Sequence, residues 1–446
     1  MELTPEKDYV LKSIQSNDIH FIRFWFTDVL GSLKSFAVTP SEIETAFDEG
    51  MGFDGSSIEG FSRIQESDML AFPDASTFQA LPWRPAENGV ARMFCDIRTP
   101  EDEPFEGDPR HALKRMLKKA ADQGFVMNVG PELEFFYFAD QETTVPLDNG
   151  GYFDLTPLDL ASDIRRDTVL SLENMGIPVE YSHHEVAPSQ HEIDLRYDDA
   201  LSMADAVMTY RLVVKEVAMQ HGAYATFMPK PISDQNGNGM HVHQSLFTEE
   251  GDNAFFDTDD PQGYNLSPLA KSYIAGILKY APEFTAITNQ FVNSYKRLVP
   301  GYEAPVYVTW ARRNRSALVR VPLYKPGKEQ ATRIEVRSPD PSCNPYLAFA
   351  VMLGAGLAGI EEGLALPPEF TLNAFALSAE ERAQAGIATL PENLGAAIDA
   401  FERSTLMRDV LGEHIHSYVV RNKRAEWAEY GAYVTDWELS RYLATL

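Results

Sequence analysis

Gly130-Pro131-Glu132-Leu133-Glu134-Phe135-Phe136, running on through Tyr137 and Phe138, reads as a β-strand that follows a helical run from Pro109 to Gln123. Side chains alternate along a strand, so Glu132 and Glu134 share one face while Leu133, Phe135 and Tyr137 share the other. Two carboxylates ~5 Å apart repel by roughly 3 kcal/mol at an effective dielectric near 20. A strand this apolar is expected to carry that repulsion only with a cation beside it. The plainer alternative is an edge strand with a solvated acidic face. Recurrence of acidic pairs downstream decides between the two.

Such pairs recur. His183-His184-Glu185-Val186-Ala187-Pro188-Ser189-Gln190-His191-Glu192-Ile193-Asp194-Leu195 reads as a hairpin. If Ala187 to Gln190 form its loop, Glu185 faces Glu192, and like charges opposed across a hairpin again call for a cation. In Asn236-Gly237-Asn238-Gly239-Met240-His241-Val242-His243, the two histidines share a face of an extended segment. Alternation in Arg333-Ile334-Glu335-Val336-Arg337 does the same for Arg333, Glu335 and Arg337. Five carboxylates and a histidine on separate strands suit two oxygen-rich divalent sites, Mg²⁺ or Mn²⁺ rather than structural Zn²⁺. The neighbouring arginines suit a phosphate or carboxylate ligand, and metal ions with an arginine clamp suit phosphoryl transfer.

The rest of the chain frames these segments. Its 446 residues allow two or three domains, with 44% hydrophobic and 23% charged residues. A formal charge of −28 argues against nucleic acid and anionic membrane surfaces as partners. Two cysteines, Cys95 and Cys343, offer no disulfide framework. The N-terminus lacks an apolar signal region, and the apolar run Tyr346 to Ile360 is too short to span a bilayer. A cytoplasmic protein is the expectation. Lys7 to Ser16 reads as a helix, Ile19 to Thr27 and Ser32 to Val38 as a hairpin, and Thr39 or Ser41 as a helix cap. Phe53 to Phe61 is a Gly/Ser-rich loop holding Asp54 and Glu59, without the lysine of a phosphate loop. A domain boundary falls in the acidic, proline-rich stretch from Pro100 to Pro109. Helices are expected over Leu158 to Met175, Ser202 to His221 and Leu266 to Phe291, and Thr435 to Glu438 has the capping-box form.

Seven ordered motifs carry a resemblance along nearly the whole chain. They begin at Phe53, Pro131, His183, Asn236, Asn293 (NSYKRLVPGYEAP), Asn314 (NRSALVR) and Arg333 (RIEVRSPDPSCNPYLAF). Together they resemble the type I glutamine synthetases, and the adenylylation-independent alpha-type among them. The resemblance implies an α+β chain, with an N-terminal β-grasp domain over residues 1–105. A catalytic ATP- and glutamate-binding domain over 106–446 follows, built on an antiparallel sheet flanked by helices. It implies ATP-dependent ligation of ammonia to L-glutamate through a γ-glutamyl phosphate, in a cytoplasmic dodecamer of two stacked hexameric rings. Two or three Mg²⁺ or Mn²⁺ ions are implied, one held by Glu134, Glu185 and Glu192, another by Glu132, His241 and Glu335. Arg297, Arg337, Asn236 and Gly237 match glutamate-binding positions, and Arg315 matches the phosphoryl-stabilising arginine. Glu180, His243, Ser245 and Arg320 match nucleotide positions. Asp54, from a neighbouring subunit, and Glu303, on a closing flap, match residues that attract and deprotonate ammonium.

The sequence departs from the family pattern at two places. Gln330 stands where the family often has lysine, with Lys328 nearby as a substitute, and Phe375 stands where the adenylylated subgroup has tyrosine. Arg63 matches an arginine implicated in feedback inhibition, against the plainer reading of a surface salt-bridge partner. Two other readings fit the same segments. One is a related ligase that joins another amine to the γ-carboxyl group, and the other a non-catalytic homologue. The presence of both Asp54 and Glu303 favours ammonium over a bulkier amine, and no expected ligand has been lost.

Overall fold

The computed structural model of the protein describes residues 4–60, 68–85, 87–314, 316–372 and 377–446. Strands β1 (Ile19–Thr27), β2 (Leu33–Val38), β3 (Met51–Asp54), β4 (Asp68–Pro73), β5 (Gln79–Ala80) and β6 (Gly89–Arg98) form the first sheet. Its order is β2-β1-β6-β4-β3, with β5 beside β6. The central pair, β1 and β6, is parallel, and the other pairs are antiparallel. This is the β-grasp part of the chain. Period-2 alternation serves two cores at once. Ile22, Phe24, Ala91 and Met93 fill the sheet's own core, whereas Trp25 and Phe94 join the larger core of the rest of the chain.

The second sheet has nine strands: β7 (Phe125–Phe138), β8 (Val179–His184), β9 (Gln190–Leu195), β10 (Asp198–Asp199), β11 (Tyr224–Thr226), β12 (Met240–Thr248), β13 (Tyr307–Ala311), β14 (Ala317–Arg320) and β15 (Ile334–Val336). Its main path runs β13-β14-β15-β12-β7-β9-β8, and β10 and β11 also pair with β7. The organising strand is therefore central, and at 14 residues it is longer than its sequence signal. One face, with Leu133, Phe135 and Tyr137 wholly buried, rests on helices that include Pro109–Ala121 and Ala200–Gln220. Helix Pro345–Glu361 is buried nearly all round, as its unbroken apolar run requires. It crosses helix Pro268–Thr288 at a glycine contact. A Cβ on Gly276 would lie 2.2 Å from the Ala355 carbonyl oxygen, and one on Gly359 2.2 Å from that of Ser272.

The two sheets are joined through Arg110, which is 3% exposed. Its guanidinium reaches Asp74 (2.8 Å) and Asp96 (2.7 Å) of the first part and Asp205 (2.9 Å) of the second. Tyr346 donates to the same Asp205 at 2.5 Å.

Three local expectations need correcting. The fourth helix spans Ser162–Asn174, not Leu158 to Met175. Asp159 is buried and turns the chain by accepting from the Ala161 N–H (3.1 Å) and pairing with Arg165, and Leu158 and Leu160 stay exposed. Thr39 stands at the start of a 3₁₀ turn, Pro40–Glu42, but neither it nor Ser41 caps a helix: the two hydroxyls bond each other at 2.9 Å. The β8–β9 register pairs His183 with Glu192 and His184 with His191, so Glu185 does not face Glu192. The loop is longer than expected because Ser189 adopts a φ of 59° and its N–H and hydroxyl are held by the Asp148–Leu147 segment, about forty residues upstream. The expected capping box at Thr435 and Glu438 is present in both directions.

Candidate active site

Register brings the polar residues into rows across one face of the second sheet. Arg320, Glu335 and His243 lie side by side on β14, β15 and β12. His241, Glu132, Asp194 and Tyr181 form the next row, and Glu134, Glu192 and His183 the third. The rows floor a cavity of about 1230 Å³ walled by Tyr152, Arg297, Arg312 and the turn from Gly301 to Glu303. Two clusters of cavity-lining residues have donor atoms within 4.8 Å of one another: Glu132–His243–Glu335 and His183–Glu185–Glu192.

In the first cluster, Glu132 accepts from both histidines, at 3.2 Å from His241 Nδ1 and 2.7 Å from His243 Nε2. Burial alone would push its carboxyl up, but these bonds and the imidazole charges hold it well below the usual carboxylate range. Arg333 Nε donates to His243 Nδ1 at 3.1 Å, so the neutral ring carries its proton on Nε2, facing Glu132. His243 thus orients Glu132, leaving His241 as the freer imidazole, 3.6 Å from Glu335. Glu335 has no exposed surface and joins Arg320 (2.5 Å) and Arg337 (2.6 Å).

Around the second cluster, burial and like charge outweigh the counter-charge that Arg297 and Arg337 offer the adjoining Glu134. Burial and the Glu185 charge push the Glu134 carboxyl up to about 8. Burial, with Asp194 and Glu134 nearby, pushes Glu192 well up, and Asp194 rises to about 7 through burial and the Glu132 charge. Glu134 Oε2 accepts from the Gly239 N–H (2.7 Å) and Gln190 Nε2 (3.1 Å). His183 donates from Nδ1 to the His184 carbonyl, so in the neutral ring the Nε2 lone pair faces Glu192 Oε2 across 3.7 Å. With the carboxylate deprotonated the two lone pairs are opposed, and this buried cluster of oxygens and imidazole fits a hard divalent cation. His183 escaped the sequence reading because the hairpin register was set two residues off. Its signal was present in the paired histidines before Glu185.

Family models for the catalytic domain and the β-grasp domain of glutamine synthetase match residues 106–442 and 18–100. The chain belongs to the glutamine synthetase family. It is 55% identical to glutamine synthetase of Mycolicibacterium smegmatis over 446 residues, covering 98% of this chain and 99% of that one. Among solved structures, the Plasmodium falciparum glutamine synthetase superposes with a TM-score of 0.87 at 26% identity, covering 99% of each chain. A chain of a GmaS/ADP complex superposes with a TM-score of 0.88 at 32% identity, covering 97% of this chain and 99% of that one.

The remaining positions named by resemblance to glutamine synthetases fall into three groups. Arg297, Arg337, Asn236, Gly237, Glu303 and Arg320 line the cavity. Arg297 is buried and donates to the carbonyls of Ser338 (2.7 Å) and Arg337 (3.2 Å). Arg337 keeps a buried Nε with no partner among the described residues, a donor suited to an anion. A Cβ on Gly237 would lie 2.3 Å from the Pro229 carbonyl oxygen, so only glycine lets this loop approach Arg297. Asp54, on β3, is exposed and stands outside the cavity wall, as do Glu180 and Ser245. Gln330 lies in the short turn Glu329–Ala331, its carbonyl held by Asn253. Arg63, Arg315 and Phe375 lie outside the described residues. Among those described, no helix is long and apolar enough to cross a membrane.

Proposed function

We propose that this chain is a glutamate–ammonia ligase, forming L-glutamine, ADP and phosphate from L-glutamate, ammonia and ATP. The observation that carries this reading is the pair of carboxylate–histidine clusters lying on one sheet face beside buried arginines. In the first step, the γ-carboxylate oxygen attacks the γ-phosphorus of ATP, ADP leaves and γ-glutamyl phosphate remains. Arg337 and Arg297, with the Asn236–Gly237 loop, orient the glutamate. Arg320 and Arg333, which line the cavity, and Arg315, assigned by resemblance, would spread the charge of the phosphates. In the second step, ammonia attacks the acyl carbon and phosphate leaves. Ammonium must first lose a proton, and Glu303, with Asp54 from a neighbouring subunit, supplies the carboxylates that attract it and take that proton.

Two or three Mg²⁺ or Mn²⁺ ions would be held by Glu134, Glu185 and Glu192, with His183 adjoining, and by Glu132, His241 and Glu335. Bound there, such ions neutralise phosphate charge. Glu180, His243 and Ser245 are assigned to the nucleotide by resemblance, His243 acting also through Glu132. A cytoplasmic dodecamer of two hexameric rings, with residues 1–105 and 106–446 as its two domains, completes the proposal. Arg63 belongs to feedback inhibition in the same reading.

A coupled ATPase assay tests it. Phosphate release should require glutamate, ammonium and a divalent cation together, with glutamine as product. Faster turnover with methylamine or another amine than with ammonium would transfer the chain to the related amine ligases. No turnover with any amine would leave a non-catalytic homologue.

A further inference from the structure

Lys230 lies where the substrate loop, the arginine-bearing segment and the Glu303 turn meet, and it is 7% exposed. Its backbone is paired twice with Asn293, donating to Oδ1 at 2.7 Å and accepting from Nδ2 at 3.0 Å. Asn293 immediately precedes the helical turn Ser294–Arg297, which carries the glutamate-facing Arg297. The Lys230 ammonium donates to the Gln235 carbonyl, at the start of the Asn236–Gly239 loop. The same ammonium sits 3.6 Å from the centroid of the Tyr302 ring, an approach that suits a cation over an aromatic face.

Tyr302 stands in a turn that does not hold its own shape cheaply. Gly301 has a φ of 98° and Glu303, with a full side chain, a φ of 56°. The turn is exposed at Gly301 and Glu303. Besides the ring contact, it is tied to the substrate loop by a long bond from Asn236 Nδ2 to Glu303 Oε2, 3.4 Å. Among the described residues the side chains of the turn thus have two such ties, and the Lys230 cation supplies one of them.

We propose that Lys230 is a positioning residue: through the Tyr302 ring it holds the Glu303 turn over the acyl carbon, in register with the glutamate loop. This rests on the ligase reading above. A turn that swings free admits water in place of ammonia. Water attacking γ-glutamyl phosphate returns glutamate and phosphate, so ATP is consumed without glutamine.

The measurement is glutamine formed per ADP released, with KM for ammonium and for ATP, on the full chain. Lys230→Met and Tyr302→Leu should each lower the ratio from near one to about one half or less, and raise the ammonium KM about tenfold. KM for ATP should stay within about twofold, because neither Lys230 nor Tyr302 is among the residues assigned to the nucleotide. Lys230→Arg and Tyr302→Phe, which keep a cation and a ring face, should shift the ratio less than their partners. The double variant should do no more harm than the worse single one, as expected of two groups acting as one unit. Wild-type ratio and ammonium KM in both single variants would overturn the proposal, and so would effects that multiply in the double variant. Should Lys230→Met fail to fold, Tyr302→Leu alone decides, since its change falls in a surface turn. A wild-type protein that releases no ADP with glutamate and ammonium sinks the ligase reading and this proposal with it. Coupled wild-type turnover with unmoved variants sinks the proposal alone.

Discussion

Glu335 gives its carboxylate to two arginines, and those arginines have no other carboxylate within pairing distance among the described residues. Glu335→Gln keeps the volume and removes the charge, and the expected loss of ATP turnover is at least about 100-fold. Glu335→Ala should lose as much and also cost about 3–5 kcal/mol of stability, because it leaves buried guanidinium charge uncompensated. Turnover within tenfold of wild type in either variant, measured beside a thermal melt, would refute the placement. Glu134 and Asp194 make a pH-dependent prediction. Their folded values stand near 8 and 7, above the ordinary 4.5 and 3.8. Without metal, these two groups therefore bind more protons in the folded chain than in the unfolded chain between about pH 4 and 8, and their contribution to stability falls as pH rises through that window. Adding Mn²⁺ at pH 7 should release protons into a weakly buffered solution and flatten that fall. Metal uptake without proton release would contradict the assignment.

At the scale of elements, alternation made the floor of the cavity legible: Glu132 with Glu134, His241 with His243, and Glu335 with Arg337 each followed from period 2. Two things stayed hidden. The β8–β9 register depends on Asp148 and on the backbone of Ser189, so no local pattern could place His183 opposite Glu192. The end of the helix expected from Leu158 was set by a buried Asp159–Arg165 pair, which hydrophobic spacing does not register. Side-chain hydrogen bonds, one set reaching about forty residues along the chain and the other closing a local turn, and not propensity, made these choices. The glycine crossing between helices Pro268–Thr288 and Pro345–Glu361 was likewise visible only as glycines interrupting an apolar run. Gly359→Ala puts a methyl group 2.2 Å from a backbone oxygen, where neither helix can yield alone. A loss of about 3 kcal/mol is expected. Unchanged thermal unfolding would show that the helices part easily.

Across the whole molecule, the exposed Asp54 and the cluster containing Glu185 belong to different parts of the chain, and Asp54 stands outside its own cavity wall. In a head-to-tail ring each subunit would lend Asp54 to one neighbour and borrow it from the other. Asp54→Ala and Glu185→Ala should each be nearly inactive alone. Co-expressed in equal amounts, they should regain about a quarter of the sites, since random mixing pairs an intact Asp54 with an intact Glu185 that often. Mixed oligomers that stay inactive would confine Asp54 to its own subunit or to no role.

Arg110 has a thermodynamic consequence for the melting of this protein. A single guanidinium shared by Asp74, Asp96 and Asp205 cannot release one part of the chain without stranding charge in the other. Trp25 and Phe94, already sunk in the larger core, would have to surface at the same moment. The β-grasp part therefore has no melting point of its own. A calorimetric scan should record one heat-absorption peak, and Arg110→Met should split or broaden it, whereas two resolved peaks in the wild type would mean that the parts come undone independently.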